Sequence, residues 1–129
     1  MEIKYLLDTN ILILYNNSNQ EIIDIISAVG RIGISIVSVG ELIYGAHTSL
    51  YKMLNFSKIQ TFINCHQIYE VKLNTANYYG IIRAEQKKKG KPLSHNDLWI
   101  ASTAMEHDLV LVTRDNALLD LDCVKTEKW

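Results

Sequence analysis

Four acidic residues of the chain lie where a short apolar run gives way to a segment with helical spacing. Asp8 closes the run in LLDTN, Glu41 follows ISIVSVG, Asp97 opens DLWIASTA, and Asp115 follows VLVTR. Taken singly, each acid has a simple structural role, because a carboxylate at a helix N-terminus caps free N–H groups and complements the helix dipole. Ser38 and Glu41 also have the spacing of a capping box.

The four acids together point to chemistry. If they meet at one edge of a sheet, their mutual repulsion is costly unless protons or a bound cation neutralise them. Oxygen ligands without an accompanying set of Cys or His favour Mg²⁺ or Mn²⁺ over zinc. Such ions keep water ligands and bind phosphate, so the pattern indicates a site that cuts or transfers phosphate groups.

The apolar runs and the helical segments between them are the elements that must position these acids. Alternating strands and helices predict crossover connections and a mostly parallel sheet, whose ligands bind outside the carboxyl ends of the strands. Ser18 or Asn19 is expected to cap the predicted helix Glu21–Val29. The predicted strands are Ile3–Leu7, Gly33–Val37, Ile68–Val71, Leu109–Val112 and, at an edge, Leu121–Lys125. The predicted helices begin at Ile11 and span Glu21–Val29, Gly40–Ile63 with a break near His47–Ser49, Asn74–Lys89 and Asp97–His107.

Composition limits the function classes. The chain has 129 residues, 48% hydrophobic and 21% charged, and a net charge of −1. These values are typical of one globular domain, predicted over residues 1–129, and they exclude a broad basic footprint for nucleic acid. Cys65 and Cys123 have no zinc-ligand spacing, and no apolar stretch has the length of a membrane span or the form of a signal peptide. We expect a cytoplasmic protein that does not enter a membrane.

The motifs LLDTN, SVGELIYGA, HNDLWIASTA and LVTRDN, in this order, resemble those of PIN-domain proteins, specifically the VapC-type toxins of toxin–antitoxin pairs. The resemblance extends over essentially the whole chain. It implies a three-layer α/β/α fold around a mostly parallel sheet of about four or five short strands. It also implies an endoribonuclease that depends on Mg²⁺ or Mn²⁺, in which Asp8, Glu41 and Asp97 match the three principal acids and Asp115 matches the fourth.

Roles within this site follow from the resemblance as expectations. Asp8 and Asp97 are expected to bind one metal directly, with Glu41 and Asp115 completing its shell partly through water. The number of metal ions, one or two, stays open. Two short polar residues in the same motifs, Asn10 and Thr113, could orient a carboxylate or a metal-bound water. Each has a structural alternative: a cap for a helix that begins at Ile11, or a simple strand end.

Partners are also implied. Proteins of this family form dimers and are inhibited by a cognate antitoxin, so we expect a homodimer, an antitoxin partner and an RNA substrate, with transfer or ribosomal RNA as the target. The residues expected to contact RNA phosphate are Arg83, Lys87, Lys88, Lys89, Lys91 and Arg114. For any single lysine, a solvated helix end that interacts with the helix dipole is an equal alternative. Arg114 could instead pair with an acid.

Three other classes of protein are alternatives. A haloacid-dehalogenase phosphatase needs a second aspartate two residues after the first, where this chain has Asn10. A response-regulator receiver needs paired acids before its first helix, and here only Glu2 and Asp8 are present. The main alternative is a non-catalytic binding module whose acids only cap helices. Dependence of activity on a divalent metal separates that module from a nuclease.

Overall fold

A five-stranded parallel sheet with helices on both faces forms the structure, a computed structural model that describes residues 2–129. The strand order is β3-β2-β1-β4-β5, and every neighbouring pair is parallel. This is the predicted three-layer α/β/α architecture. The strands are β1 (Tyr5–Leu7), β2 (Gly33–Ser35), β3 (Gln67–Tyr69), β4 (Val110–Val112) and β5 (Thr126–Glu127). The helices are α1 (Thr9–Asn16), α2 (Gln20–Val29), α3 (Ile36–His47), α4 (Lys52–Cys65), α5 (Leu73–Lys88), α6 (His95–Glu106) and α7 (Asn116–Leu119).

Two hydrophobic cores cover the two faces of the sheet. Successive residues of a strand point to opposite faces, so Leu7 packs with α1 to α4 while Leu6 packs with α5 to α7. Val112 and Leu111 divide between the same two cores in the same way. The central strands are therefore buried on both sides, as expected of a parallel sheet covered by helices.

The order of the strands creates one crevice. The chain passes from β1 to β2 to β3 on one side and then returns to place β4 on the other side of β1. The connections that leave β1 and β4 therefore diverge, and in open α/β sheets such a switch point is where ligands bind. Asp8 directly follows β1, and Asp115 follows β4 within three residues.

Several predicted boundaries are confirmed. The helix break near His47 is present, since α3 ends at His47 and α4 begins at Lys52. Asn19 caps α2, accepting a hydrogen bond from the Ile22 amide at 3.2 Å.

No helix among residues 2–129 combines the length and the apolar character needed to cross a bilayer.

Three local predictions are wrong. The first helix begins at Thr9 rather than Ile11, because the Asp8 side chain rather than Asn10 caps it. Helix α3 begins at Ile36 with Ser35 as its cap, so Glu41 lies in the second turn and the capping box is absent. The last strand is Thr126–Glu127 instead of Leu121–Lys125, since Leu121 and Val124 are buried in the core.

Candidate active site

Asp8 is a buried carboxylate at the carboxyl end of the central strand. Its side chain is 3% exposed, and both oxygens accept hydrogen bonds. Oδ1 accepts from the backbone N–H of Thr9 at 2.8 Å, and Oδ2 accepts from the Thr113 hydroxyl at 2.8 Å. Burial raises the pKa of Asp8 above its ordinary value of 3.8, the two hydrogen bonds oppose this shift, and the charges of Asp97 and Asp115 add to it.

Thr9 connects Asp8 to Glu41. Its backbone N–H donates to Asp8, and its hydroxyl donates to Glu41 Oε1 at 2.8 Å. The hydroxyl of Ser38 lies 2.9 Å from that of Thr9, and because the single Thr9 proton is used by Glu41, Ser38 is the donor in this contact. Helix α3 is thus held against α1 through a polar contact that fixes the Glu41 carboxylate.

Thr113 makes the corresponding connection from Asp8 to Asp115. Its hydroxyl donates to Asp8 and accepts from the backbone N–H of Asp115 at 3.0 Å. Asp115 also caps the short helix α7, accepting from the Ala117 amide at 2.9 Å. The structure therefore shows Asp8 and Asp115 as both helix caps and members of one acidic group.

Asp97 completes this group from helix α6. It lies in the first turn, where the Ser94 hydroxyl accepts a hydrogen bond from its backbone N–H at 3.2 Å. Partial burial raises the pKa of Asp97 above 3.8, and the charges of Asp115 and Glu41 raise it further. The charges of Glu41 and Asp115 therefore act on Asp97, and those of Asp97 and Asp115 act on Asp8.

Positive side chains do not neutralise this acidic group. Among residues 2–129, none of Asp8, Glu41, Asp97 and Asp115 forms a salt bridge. In the described part of the chain, no three Asp, Glu, His or Cys side chains stand close enough to enclose an ion in their present conformations. An open groove of about 720 Å³ leads to Glu41 and is also lined by Thr9, Asn10 and Asn96.

The donor chemistry of the site fits a hard divalent cation. The group presents carboxylate and hydroxyl oxygens, and the charges of neighbouring acids raise the pKa of Asp8 and of Asp97. Such a set binds Mg²⁺ or Mn²⁺ more suitably than a soft metal. Because the four acids do not yet enclose an ion, water ligands or small side-chain movements would complete a shell around it.

Sequence reasoning missed Thr9, and it gave Ser38 the role of a capping-box residue instead of its contact with Thr9. The signal for Thr9 was its position directly after Asp8. Of the two residues expected to support the site, Thr113 contacts Asp8 and Asp115 as described. Asn10 is exposed on α1 and lines the groove, but it makes no hydrogen bond with the four acids in the described structure.

The basic residues expected at the edge divide into two sets. Three are engaged with other parts of the chain: Lys89 Nζ lies 2.5 Å from Asp122, Lys91 Nζ lies 2.7 Å from Asp120, and Arg114 Nε donates to the Trp129 carbonyl at 2.5 Å. Arg114 also lies 3.9 Å from Glu21. Within residues 2–129, Arg83, Lys87 and Lys88 form no salt bridge.

Comparison with known proteins places this arrangement in a family. The family model for the PIN domain matches residues 5–122. The chain belongs to the PIN-domain family. Among its relatives are Ribonuclease VapC2 of Haemophilus influenzae, 35% identical over 98% of both chains, and the tRNA(fMet)-specific endonuclease VapC of Shigella flexneri, 31% identical over 98% of both chains. This PIN domain is therefore of the VapC type.

Solved structures agree with this assignment. The PIN domain superposes on VapBC2 from Rickettsia felis, bound to a DNA fragment from its promoter, with a TM-score of 0.92 and 30% identity over 98% of this chain and 99% of that one. It superposes equally well on DNA-bound VapBC from Salmonella typhimurium, with a TM-score of 0.93 and 30% identity over 99% of both chains. The predicted fold and family are both confirmed.

Proposed function

We propose that this PIN domain is an endoribonuclease, the toxin of a toxin–antitoxin pair, which hydrolyses RNA with the help of Mg²⁺ or Mn²⁺. The observation that carries the proposal is the group of four carboxylates at the switch point of the sheet, which no cation of residues 2–129 neutralises. Its relatives named ribonuclease, and the VapBC complexes that share its fold, supply the activity class and the partner.

The four acids have distinct tasks in this proposal. Asp8 and Asp97 would bind a metal ion directly, while Glu41 and Asp115 would complete its surroundings partly through water. The ion, when bound, supplies positive charge that lowers the pKa of water and stabilises the extra negative charge on the phosphate in the transition state. Thr9 and Thr113 hold the carboxylates of Asp8 and Glu41 in place before substrate arrives, and Ser38 supports Thr9, so little reorganisation is needed.

Hydrolysis would proceed by in-line attack of water on phosphorus. The water oxygen bonds to phosphorus, the bond from phosphorus to the 3′ oxygen breaks, and one proton passes from the water to solvent while the departing oxygen takes up another. The products are a 5′-phosphate and a 3′-hydroxyl. End-specific ligation or labelling of the fragments identifies these ends.

We propose transfer RNA as the substrate class. Two relatives, from Shigella flexneri and Salmonella typhimurium, are named tRNA(fMet)-specific endonucleases and are 31% and 34% identical over 98% of this chain. Ribosomal RNA is the other target considered. Mapping new 5′ ends across total RNA after incubation with the purified chain discriminates between the two classes.

The proposal also includes a cytoplasmic protein that forms a homodimer and is inhibited by a cognate antitoxin. Its support is the similarity to toxin–antitoxin complexes. Sedimentation of the chain alone and with the antitoxin encoded beside it tests the assembly. Addition of that antitoxin is expected to stop RNA cleavage.

The deciding experiment compares cleavage by the wild type, Asp8→Asn, Asp97→Asn and a chelator-treated sample, with Asp24→Asn as a control. Asp24 lies on α2 and is not a member of the acidic group. Its replacement by asparagine removes the same charge as each site variant. We expect cleavage only by the wild type and Asp24→Asn, and only with added Mg²⁺ or Mn²⁺. Cleavage unaffected by both site variants and by the chelator would refute the site, and no cleavage of any cellular RNA would favour the binding module.

A further inference from the structure

A second groove lies next to the groove that leads to Glu41, which we call the acidic groove, and residues of the first turn of α6 line both. Its volume is about 470 Å³, and it is formed by the C-terminal half of α5 and the loop that leads to α6. We call it the cationic groove. Its lining residues are Arg83, Gln86, Lys87, Pro92, Leu93, His95 and Leu98.

The charged side chains that line the cationic groove favour binding of an anion. Arg83 and Lys87 carry positive charge, and no acidic residue lines the groove. The two cations are four positions apart on α5, where like charges lie on one helix face and repel each other. Neither has a salt bridge within residues 2–129, so this repulsion has no internal compensation.

Neighbouring lysines behave differently, which makes the charge of the cationic groove specific. Lys89 and Lys91 are paired with Asp122 and Asp120 in the segment that follows α7. Those pairs tie the lysines to the fold and reduce their availability for a ligand. Lys88 has no salt bridge in the described structure either, but it does not line the cationic groove, whereas Lys87 does so together with Arg83.

Tyr79 contacts both Arg83 and His95, which lie on different helices and line the cationic groove. The Arg83 guanidinium donates to the Tyr79 hydroxyl at 3.2 Å, and that hydroxyl lies 2.7 Å from Nδ1 of His95. Since arginine only donates, the tyrosine hydroxyl accepts from Arg83, and its contact with Nδ1 fixes the orientation of the His95 ring.

The two grooves meet at the first turn of α6. His95 lines the cationic groove, whereas the next residue, Asn96, lines the acidic groove together with Glu41. Asp97 follows in the same turn. A strand that crosses this turn would place one phosphate at the acids and a neighbouring phosphate at the cations.

We propose that the cationic groove binds a backbone phosphate of the RNA strand next to the phosphate that is cut, through Arg83, Lys87 and His95, with Tyr79 as a positioning residue. This inference rests on the proposed function for its ligand. Of the basic residues expected to contact RNA, it assigns this role to Arg83 and Lys87, which line the cationic groove. Because only phosphate is contacted, the contribution is independent of base sequence.

The test measures binding of a fluorescently labelled oligouridylate by anisotropy over a series of salt concentrations. All proteins carry Asp8→Asn and are assayed with Mg²⁺, so that RNA is not cut during the titration. Loss of this one phosphate contact lowers the slope of log affinity against log salt by about 0.7 for a single strand. We therefore expect Arg83→Gln/Lys87→Gln to show this lower slope and a Kd about tenfold higher at 0.1 M salt.

Lys52→Gln/Lys58→Gln is the matched control, since both lysines are exposed on α4, neither lines either groove, and the pair loses the same two charges. It should leave the slope unchanged. An unchanged slope and Kd in the double variant, or no binding of the oligouridylate by the parent protein, would overturn the cationic groove. If wild-type RNA cleavage persists in that case, the proposed function stands without it.

Tyr79→Phe tests the positioning role. The ring and its stack on Trp99, with centroids 4.1 Å apart, are retained while the hydroxyl is lost. All charges remain, so we expect the salt slope of the parent protein together with a Kd about threefold higher. A Kd equal to that of the parent would remove Tyr79 from the proposal.

Discussion

The hydroxyl of Thr113 donates a hydrogen bond to Oδ2 of Asp8 at 2.8 Å, joining two residues 105 positions apart in the chain. The Thr113 hydroxyl oxygen also accepts a hydrogen bond from the backbone N–H of Asp115. One hydroxyl thereby sets the orientation of a buried carboxylate and the start of the segment that carries another. The contact crosses from β1 to β4, the two strands that flank the switch point.

Replacement of Thr113 by valine should impair the site more than replacement by serine. Valine has the same shape but leaves the buried Asp8 oxygen and the Asp115 amide without their partner, at a cost of about 1 to 3 kcal/mol in unfolding free energy. Supporting residues of this kind change metal affinity or activity by about 10- to 100-fold. Cleavage rate and Mn²⁺ affinity should fall in Thr113→Val and be largely retained in Thr113→Ser. Equal values for the two variants would remove the hydroxyl from the mechanism.

Thr9 should behave in the same way toward Glu41. Thr9→Val removes the donor to Glu41 Oε1 and the acceptor for Ser38, whereas Thr9→Ser keeps both. We expect Thr9→Val to cleave RNA roughly 10-fold more slowly and Thr9→Ser to remain close to wild type. A circular dichroism melt of each variant shows whether the loss comes from unfolding. A fully active, folded valine variant would contradict the assigned contact.

Asp8→Asn should stabilise the metal-free protein while it removes activity. The raised pKa of Asp8 means that its charge is unfavourable in the folded state, and asparagine removes this charge but still caps α1. We therefore expect the Tm of the variant in chelator to lie above that of the wild type. Added Mn²⁺ should raise the Tm of the wild type but not that of the variant. Asp24→Asn serves as the control and should respond to Mn²⁺ like the wild type.

The stability of the metal-free protein should depend on pH through Asp8 and Asp97. Both folded-state pKa values lie above the ordinary 3.8, so the folded protein binds these protons more tightly than the unfolded chain does. Their contribution to stability is complete below the unfolded pKa and is lost as pH rises through the folded values. Urea unfolding in chelator from about pH 7 down to about pH 4 should show this gain on acidification. The Asp8→Asn/Asp97→Asn protein, compared over the same range, should show a smaller gain.

Gly33 tests how closely β2 must approach its neighbours. A Cβ at this position would lie 2.7 Å from Cε2 of Tyr69 and 3.2 Å from the carbonyl oxygen of Tyr5. Gly33→Ala should therefore lower the unfolding free energy by about 1 to 3 kcal/mol. Gly80→Ala is the control, because a Cβ there meets nothing within 4 Å and alanine favours a helix by up to about 1 kcal/mol. Equal stability of the two variants would show that the strands can separate without cost.

The sequence by itself determined the class of fold and the set of acids. Short apolar runs alternating with helical segments require a parallel sheet, and Asp8, Asp97 and Asp115 follow such runs or begin such segments. These signals are local: they depend on the period of apolar residues and on the residue types at element ends. Four predicted strands overlap β1 to β4 for this reason.

Tertiary structure decided which side chains meet. The contacts of Thr9 with Ser38 and Glu41, and of Thr113 with Asp8, depend on the order of strands around β1, which no local pattern encodes. The sequence pattern also places the start of α3 too late, because the apolar residues after Ser35 suit a buried strand and a buried helix equally well. Likewise, only the fold separates Lys89 and Lys91, paired with acids after α7, from Arg83 and Lys87 in the cationic groove. A run of lysines looks uniform in sequence, and the distance to each partner carboxylate makes its members different.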